Sequence, residues 1–339
     1  MSLSQNNCAG AALENFLMQH NKNGIELSAW LHELNIANHP LEGKKTLAYH
    51  LLSRQGIPIP QSKIFSNLDQ LRDQLQRPYP FVVKFDTQNM LGLQTVIVNN
   101  ELDCVTVWQN SEFIKSCSGI VQDFCQGREY TVTVLVGQHN WVDLGSAVDF
   151  KKVNDYDQGA NTFGLGSLAP CNYVADSTHD IIDQVVFELQ RKCKYQGVLS
   201  CQFLLDTVGN LWFLEYNTRF CDPEFQSVLP SLSTNLITSL EQLQHDQPMS
   251  PVTNCSINAV TVGLIHQHWP TPQSQRASIA LTHSKFDIVN MRGQWDYNTY
   301  WGSITNTGNA SHQQLSQEIY NWLDTVDVAP YRYRKDIGK

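Results

Sequence analysis

The sequence predicts an α+β protein. Three observations lead there. Short apolar runs of strand length alternate with helical apolar periods through the middle of the chain. No apolar run approaches the ~20 residues needed to span a bilayer. The 339 residues suffice for about two or three domains at roughly 100–200 residues each, enough to bury sizeable cores.

In chain order, the first forty residues are weakly patterned, although Ile25 to Leu34 carries a helical period. A clearer helix is predicted over Lys44 to Gln55, stopped by Gly56 with Pro58 just beyond. Strands are predicted at Phe81 to Phe85, Thr95 to Val98 and Ile120 to Phe124, then at Arg128 to Val136 and Asn140 to Asp149 around a turn at Gly137. Phe150 to Pro170, rich in Gly, Asn, Asp and Thr, is expected to be one loop of unusual length, of the kind that is functional or disordered. Helix returns at about His179 to Lys194, followed by a strand pair, Val198 to Leu205 and Leu211 to Tyr216, joined at Val208-Gly209-Asn210. Helical patterns continue to about Leu243. Gln247-Pro248 and Pro251 then mark a linker into a region of short strands that ends with a helix near Gln313 to Leu323.

Composition excludes several classes. Only 16% of residues are charged and 10% are aromatic, which argues against disorder and against a coiled coil. A net charge of −9 argues against a nucleic-acid coat, which needs clustered Lys and Arg. The polar start, Met1 to Asn7, has neither the basic nor the apolar part of a signal peptide, so a cytoplasmic chain with no membrane partner is expected. Nine cysteines without a Cys-x-x-Cys pair read as small hydrophobes rather than a disulfide frame or a zinc site.

Chemistry concentrates at Leu211 to Phe220. On a strand, Glu215 and Asn217 share a face while Tyr216 points away. A carboxylate beside an amide oxygen suits Mg²⁺, which takes hard oxygen ligands and shares its shell with phosphates and water. Arg219, two residues on, adds a planar cation for a carboxylate or phosphate. Glu-x-Asn alone occurs by chance too often to decide, and a solvated strand end reads the same way. His266-Gln-His268 has no third metal ligand in view and reads as surface histidines; Trp269, Trp295 and Trp301 read as core or domain-contact aromatics.

Three longer stretches add a resemblance. Gly197 to Asp206 is followed by Leu214-Glu-Tyr-Asn-Thr-Arg-Phe-Cys-Asp-Pro-Glu-Phe-Gln226. Asp149-Phe-Lys-Lys152 precedes Asp155-Tyr-Asp-Gln-Gly-Ala-Asn-Thr-Phe-Gly-Leu-Gly166. The chain ends in Tyr331-Arg-Tyr-Arg-Lys-Asp-Ile-Gly338. In that order they resemble motifs of the ATP-grasp ligases, and within them of the phosphoribosylamine–glycine ligases. The resemblance implies two α+β lobes closing on ATP, followed by a small β-rich C-terminal domain. It divides the chain into a short segment 1–43, an ATP-grasp domain 44–247 and a C-terminal domain 248–339.

The same resemblance implies site residues. Lys84 would meet the ATP phosphates, although a lysine snorkelling from a strand edge is the plain alternative. Gln122-Asp123-Phe124-Cys125 would hold adenine at the hinge, and Glu129 the ribose. Lys151 and Lys152 would face phosphate or acyl phosphate. Asp155, Asp157, Asn161 and Thr162 would lie in the substrate loop. Arg219 and Asp222 would grip the two ends of an amino acid, although Asp222-Pro223 is also a good helix start. Glu215 and Asn217 would carry Mg²⁺ or Mn²⁺. The implied reaction is ATP-dependent amide formation through an acyl phosphate, with glycine as the amino acid and an amine as acceptor, as in purine synthesis.

The chain also departs from the family pattern. Its lid loop, Asp86 to Thr95, has one glycine and no lysine where the family has a Gly-Lys-Gly setting. Residues 1–43 contain nothing like the family's Gly-Gly-Gly-Arg-Glu-His segment, which leads to the expectation of a separately encoded N-terminal domain. Phe163 and Leu165 replace a Gly and a Met. These departures leave open a ligase of a specialised pathway with another acceptor, and a non-catalytic nucleotide-binding relative.

Overall fold

The computed structural model describes residues 8–19, 42–87, 93–252, 254–290 and 298–339. The helical period at Ile25 to Leu34 and Trp295 lie outside them. The N-terminal helix α1 (Cys8–Gln19) was not anticipated: it has no acidic residue in its first turn and no basic one in its last, so the usual end signals are missing. Its Ala12, Leu13 and Leu17 are nonetheless buried in the main core. Helix α2 (Lys45–Leu52) continues as a 3-10 turn to Gln55 and stops at Gly56 in the left-handed conformation, as its sequence predicts.

The first lobe is a four-stranded antiparallel sheet in the order β1-β4-β2-β3, from β1 (Ser62–Phe65), β2 (Phe81–Phe85), β3 (Thr95–Val98) and β4 (Gly119–Asp123). Helix α3 (Leu68–Gln74), capped by Asn67, packs on β1, and α4 (Glu101–Ile114), capped by Asn100, packs on β3. Because β2 lies inside this sheet, Lys84 is not at an edge, and it is 5% exposed. The snorkelling alternative fails on that burial.

The second lobe begins with β5 (Gly127–Val136) and β6 (Trp141–Asp149). The expected long loop after β6 is largely structured. It holds a hairpin of β7 (Lys152–Asn154) and β8 (Gln158–Asn161), then β9 (Gly166–Ala169). These strands are short and mostly polar, so the alternation that marks a strand is missing. Helix α5 (Thr178–Cys193) buries Ile181, Ile182, Val185, Val186 and Leu189, each contributing roughly 1.5–3 kcal/mol, with Arg191 and Lys192 in the last turn suiting its dipole. Strands β10 (Gly197–Asp206) and β11 (Leu211–Asn217) follow, then the short α6 (Glu224–Val228) and α7 (Asn235–Gln244).

The chain ends with β12 (Asn258–His266), β13 (Asp287–Asn290), β14 (Tyr300–Gly308), α8 (His312–Leu323) and β15 (Tyr331–Arg332). The boundary expected at 247–248 falls between α7 and β12, and one nine-stranded sheet crosses it. Its path is β11-β10-β5-β6-β9-β12-β14-β13, with β15 also on β12. The link is β9, which pairs with β6 on one side and β12 on the other. The C-terminal strands still have their own apolar cluster, built from Val260, Val262, Leu264 and Ile304 against Leu315, Ile319 and Leu323 of α8. Trp269 and Trp301 are buried as expected; His266 is also buried, against Tyr331, rather than at the surface.

Candidate active site

A cleft of about 430 Å³ takes lining residues from both β2 and β11, within the size range of small-molecule sites. Lys84 reaches it from β2. Glu129 comes from β5, Asp149 from the end of β6, Gln202 from β10, and Glu215 and Asn217 from β11. The alternation on β11 holds: Tyr216 packs into the core beneath while its neighbours line the cleft.

A bulge sharpens this arrangement. Gln202 pairs with Glu215 but Phe203 pairs with Phe213, so Leu214 is the extra residue. The Leu214 carbonyl accepts a hydrogen bond from Lys84 Nζ at 3.2 Å. The next residue turns its carboxylate to two ammonium groups: Glu215 Oε2 lies 3.2 Å from Lys45 Nζ and 3.5 Å from Lys84 Nζ. Burial opposes the Glu215 charge, but Lys45, Lys84 and Lys151 overcome it and hold the carboxyl down to about 2. Burial lowers the pKa of Lys84, with Glu215 opposing that and Lys45 adding to it.

A second cluster sits beside the first. Lys151 Nζ donates to Glu129 Oε2 at 2.7 Å and to Gln202 Oε1 at 3.1 Å. Burial works against the Lys151 charge, yet Glu129, Asp149 and Glu215 outweigh it and raise its pKa. Burial likewise opposes the Glu129 charge, and Lys151 lowers its pKa. Thr162 closes the loop over Lys151, its N–H and hydroxyl both donating to the Lys151 carbonyl at 2.7 and 2.9 Å.

Of the residues singled out from sequence, Lys84, Gln122, Asp123, Phe124, Cys125, Glu129, Lys151, Lys152, Asp157, Asn161, Thr162, Glu215, Asn217, Arg219 and Asp222 all line this cleft. Asp155 does not; its carboxylate accepts from the Lys335 backbone at 2.8 Å. At the hinge, Gln122 donates to Ser62 Oγ at 3.0 Å and Asp123 is ion-paired with Arg77. Arg219 donates through Nε to Glu42 at 3.0 Å and through Nη1 to the Phe220 carbonyl. Asp222-Pro223 does not start a helix in the expected way. Pro223 occupies the cap position with no side-chain cap bond, and Asp222 accepts instead from the Gln226 amide. Residues 88–92 of the lid loop lie outside the described residues, but Asp86 at its near end is held by Thr46 N at 3.0 Å and Thr46 Oγ1 at 2.7 Å.

Three contributors escaped the sequence reading. Lys45 opens α2, where a cation faces the positive end of the helix dipole; that misfit was the available signal. Glu42 is buried and accepts from Thr218 N, Thr218 Oγ1 and Arg219 Nε, all at 3.0 Å, a long-range clasp with no local mark. Arg334 is 1% exposed and holds Asp336 through two bonds, of 2.8 and 2.6 Å, and Asp157 through one of 2.9 Å. It thus ties the terminal motif to the β7–β8 hairpin.

The residues also suit a hard divalent cation: Glu215 and Asn217 offer a carboxylate and an amide on one face. Among the described residues no three His, Cys, Asp or Glu side chains gather as a metal site.

The model of the phosphoribosylglycinamide synthetase ATP-grasp (A) domain matches residues 43–225, more than half of the chain. The chain belongs to this family. Among phosphoribosylglycinamide synthetase relatives, the phosphoribosylamine–glycine ligase of Neisseria meningitidis serogroup B is 26% identical over 326 residues, covering 88% of this chain and 75% of that protein. The enzyme of that name from Caldanaerobacter subterraneus is 30% identical over 213 residues, 59% of this chain and 51% of its own length. The crystal structure of the Thermotoga maritima phosphoribosylamine–glycine ligase superposes with a TM-score of 0.73 at 23% identity, over 88% of this chain and 79% of that one. A Hydrogenobacter thermophilus biotin carboxylase domain solved with MgADP shares the fold with a TM-score of 0.64 at 14% identity, over 86% and 68%. Among the described residues no helix is long and apolar enough to cross a membrane.

Proposed function

We propose that this chain is an ATP-dependent carboxylate–amine ligase that activates an amino acid as an acyl phosphate and joins it to an amine. The relatives' names supply glycine and phosphoribosylamine as first substrates to test. One observation carries the reading: two buried lysines converge on a single oxygen of Glu215, on the strand face that also presents Asn217. The lysines neutralise that carboxylate. With MgATP bound, Lys45 and Lys84 would meet phosphate oxygens, and Glu215 and Asn217 would hold the cation. The cation, when bound, neutralises charge on the transferring phosphoryl group.

The remaining roles follow from position. Residues 122–125 hold the adenine end, and Glu129 exchanges Lys151 for ribose hydroxyls, leaving Lys151 and Lys152 for phosphate and acyl phosphate. Arg219, braced by Glu42, receives the amino-acid carboxylate. The protein contributes positioning and charge neutralisation.

The test is ADP release by the purified chain with ATP, Mg²⁺ and glycine, with and without phosphoribosylamine. Glycine-dependent release that is abolished in Glu215→Ala/Asn217→Ala supports the ligase. No release with any amino acid and amine, together with no MgATP binding by calorimetry, refutes it and leaves a non-catalytic relative. A different acceptor is the second reading, favoured by Phe163. This ring lines the cleft and packs edge-on against Tyr300 at 4.8 Å, where the family pattern has glycine. Turnover with small amines but not phosphoribosylamine, reversed in Phe163→Gly, supports that reading.

A further inference from the structure

Setting aside Asp222, which accepts from the Gln226 amide, the carboxylates lining the cleft fall into two kinds. Glu215, Glu129, Asp157 and Asp123 are each ion-paired, with Lys45 and Lys84, Lys151, Arg334 and Arg77 respectively. Asp149 and Glu224 make no such pair among the described residues. Helix α6 packs across β6 and β9, and Gly164 stands between Pro223, the residue before Glu224, and Asp149 at the end of β6: a Cβ built there would lie 2.4 Å from Pro223 Cδ and 2.9 Å from Asp149 Oδ1. Glu224 is 1% exposed; its Oε1 accepts from Thr131 Oγ1 at 3.2 Å, and its Oε2 has no partner. Asp149 Oδ1 is likewise buried without a partner, and both residues line the cleft. Buried oxygens left without donors are costly, so an unpaired couple facing a substrate cavity calls for a ligand or a proton.

The charge environment separates the two kinds. The groups acting on Glu224 are Lys151 and Arg219, and those on Asp149 are Glu224 itself, Lys151, Glu129 and Arg334. Burial raises Glu224 to about 7 in spite of those cations. Burial and the neighbouring Glu224 raise Asp149 well above the ordinary carboxylate range. Glu215, held at about 2 by its lysines, is a poor proton acceptor at neutral pH, whereas a carboxylate near 7 is a good one.

We propose that Asp149 and Glu224 are the proton-accepting pair of the amide-forming step, an assignment that rests on the ligase reading above. As the amine nitrogen bonds to the acyl carbon, the carbon–oxygen bond to phosphate breaks and phosphate leaves with its electron pair. The proton lost by the nitrogen passes to Glu224, whose carboxyl then shares it with Asp149.

The test compares two acceptors in the full chain, using glycine, ATP and Mg²⁺. Phosphoribosylamine has to shed its proton to the protein, whereas hydroxylamine captures acyl phosphates with little need of a base. Expected for Glu224→Gln is a fall of about a hundredfold or more with phosphoribosylamine but less than tenfold with hydroxylamine. The wild-type kcat rises with pH through an apparent pKa near 7, a limb that disappears in Glu224→Gln and returns in part in Glu224→Asp. Asp149→Asn, read the same way, shifts that limb to lower pH and covers the case in which Glu224→Gln fails to fold, with melting and MgATP binding as folding controls. Equal losses with both acceptors, or a limb unchanged in the variants, would overturn the pair. No glycine-dependent ADP release in the wild type would overturn the ligase reading and the pair with it.

Discussion

Lys45 and Lys84 divide one carboxylate oxygen between them, so removing either leaves the other still neutralised by Glu215. Lys84→Met and Lys45→Met should therefore each raise the KM for ATP by about ten- to a hundredfold, the loss of one charge-assisted contact. The double variant should cost less than the product of the two, because the residues act on one group. Steady-state kinetics on the three variants checks this. The same cluster sets an acid limit. The Glu215 carboxyl falls from an ordinary 4.5 to about 2 on folding, so its stabilisation is complete above about 4.5 and is lost as the pH drops towards 2. That shift corresponds to on the order of 3 kcal/mol. Urea unfolding between pH 5 and 2 should show a steep fall for the wild type and a flatter one for Glu215→Gln. Glu224 has the opposite sign: with a folded pKa near 7, its contribution is full below about 4.5 and lost as the pH rises through 7. Glu224→Gln should accordingly flatten the decline in stability between those values.

At the scale of elements, the turn between β8 and β9 depends on one close approach. Gly164 has φ +124, and a Cβ built there would lie 2.4 Å from Pro223 Cδ and 2.9 Å from Asp149 Oδ1. Gly164→Ala should destabilise by about 1–3 kcal/mol and depress activity further, as the loop is pushed off the Asp222 turn. Gly209→Ala, at a positive φ in open space, serves as the control in thermal melts and activity assays. Much of this architecture was legible in the chain. Strands β2, β3, β5, β6, β10 and β11 announce themselves by apolar runs, and the Glu215-Tyr216-Asn217 alternation placed two site residues on one face. The β7–β8 hairpin was illegible because its sequence is polar and its strands are three and four residues long. Lys45 and Glu42 were missed because their partners lie 170 and 176 or more residues away, a distance that no local pattern encodes. The Leu214 bulge is equally silent in sequence, since it exists only as a mismatch between two strands.

For the whole molecule, the terminal motif acts as a strap over the β7–β8 hairpin. Arg334 stands over the Phe150 ring, the Tyr156 backbone donates to Asp336, and Arg332 reaches Asn154. Arg334→Met would leave Asp157 and Asp336 without their cation, so a loss of about 3–5 kcal/mol in chemical unfolding is expected. Backbone hydrogen exchange should rise in residues 152–162 before it rises in β5 or β10.

The bridging strand β9 bears on how this molecule is inherited. A segment that ended at residue 247 would still contain β9, but with the edge that β12 covers bare to solvent, an open template for another chain. Gene fusions or shuffling that treat the nucleotide-binding part as a portable cassette would thus be penalised by aggregation. The C-terminal strands travel with the cleft because they close its sheet.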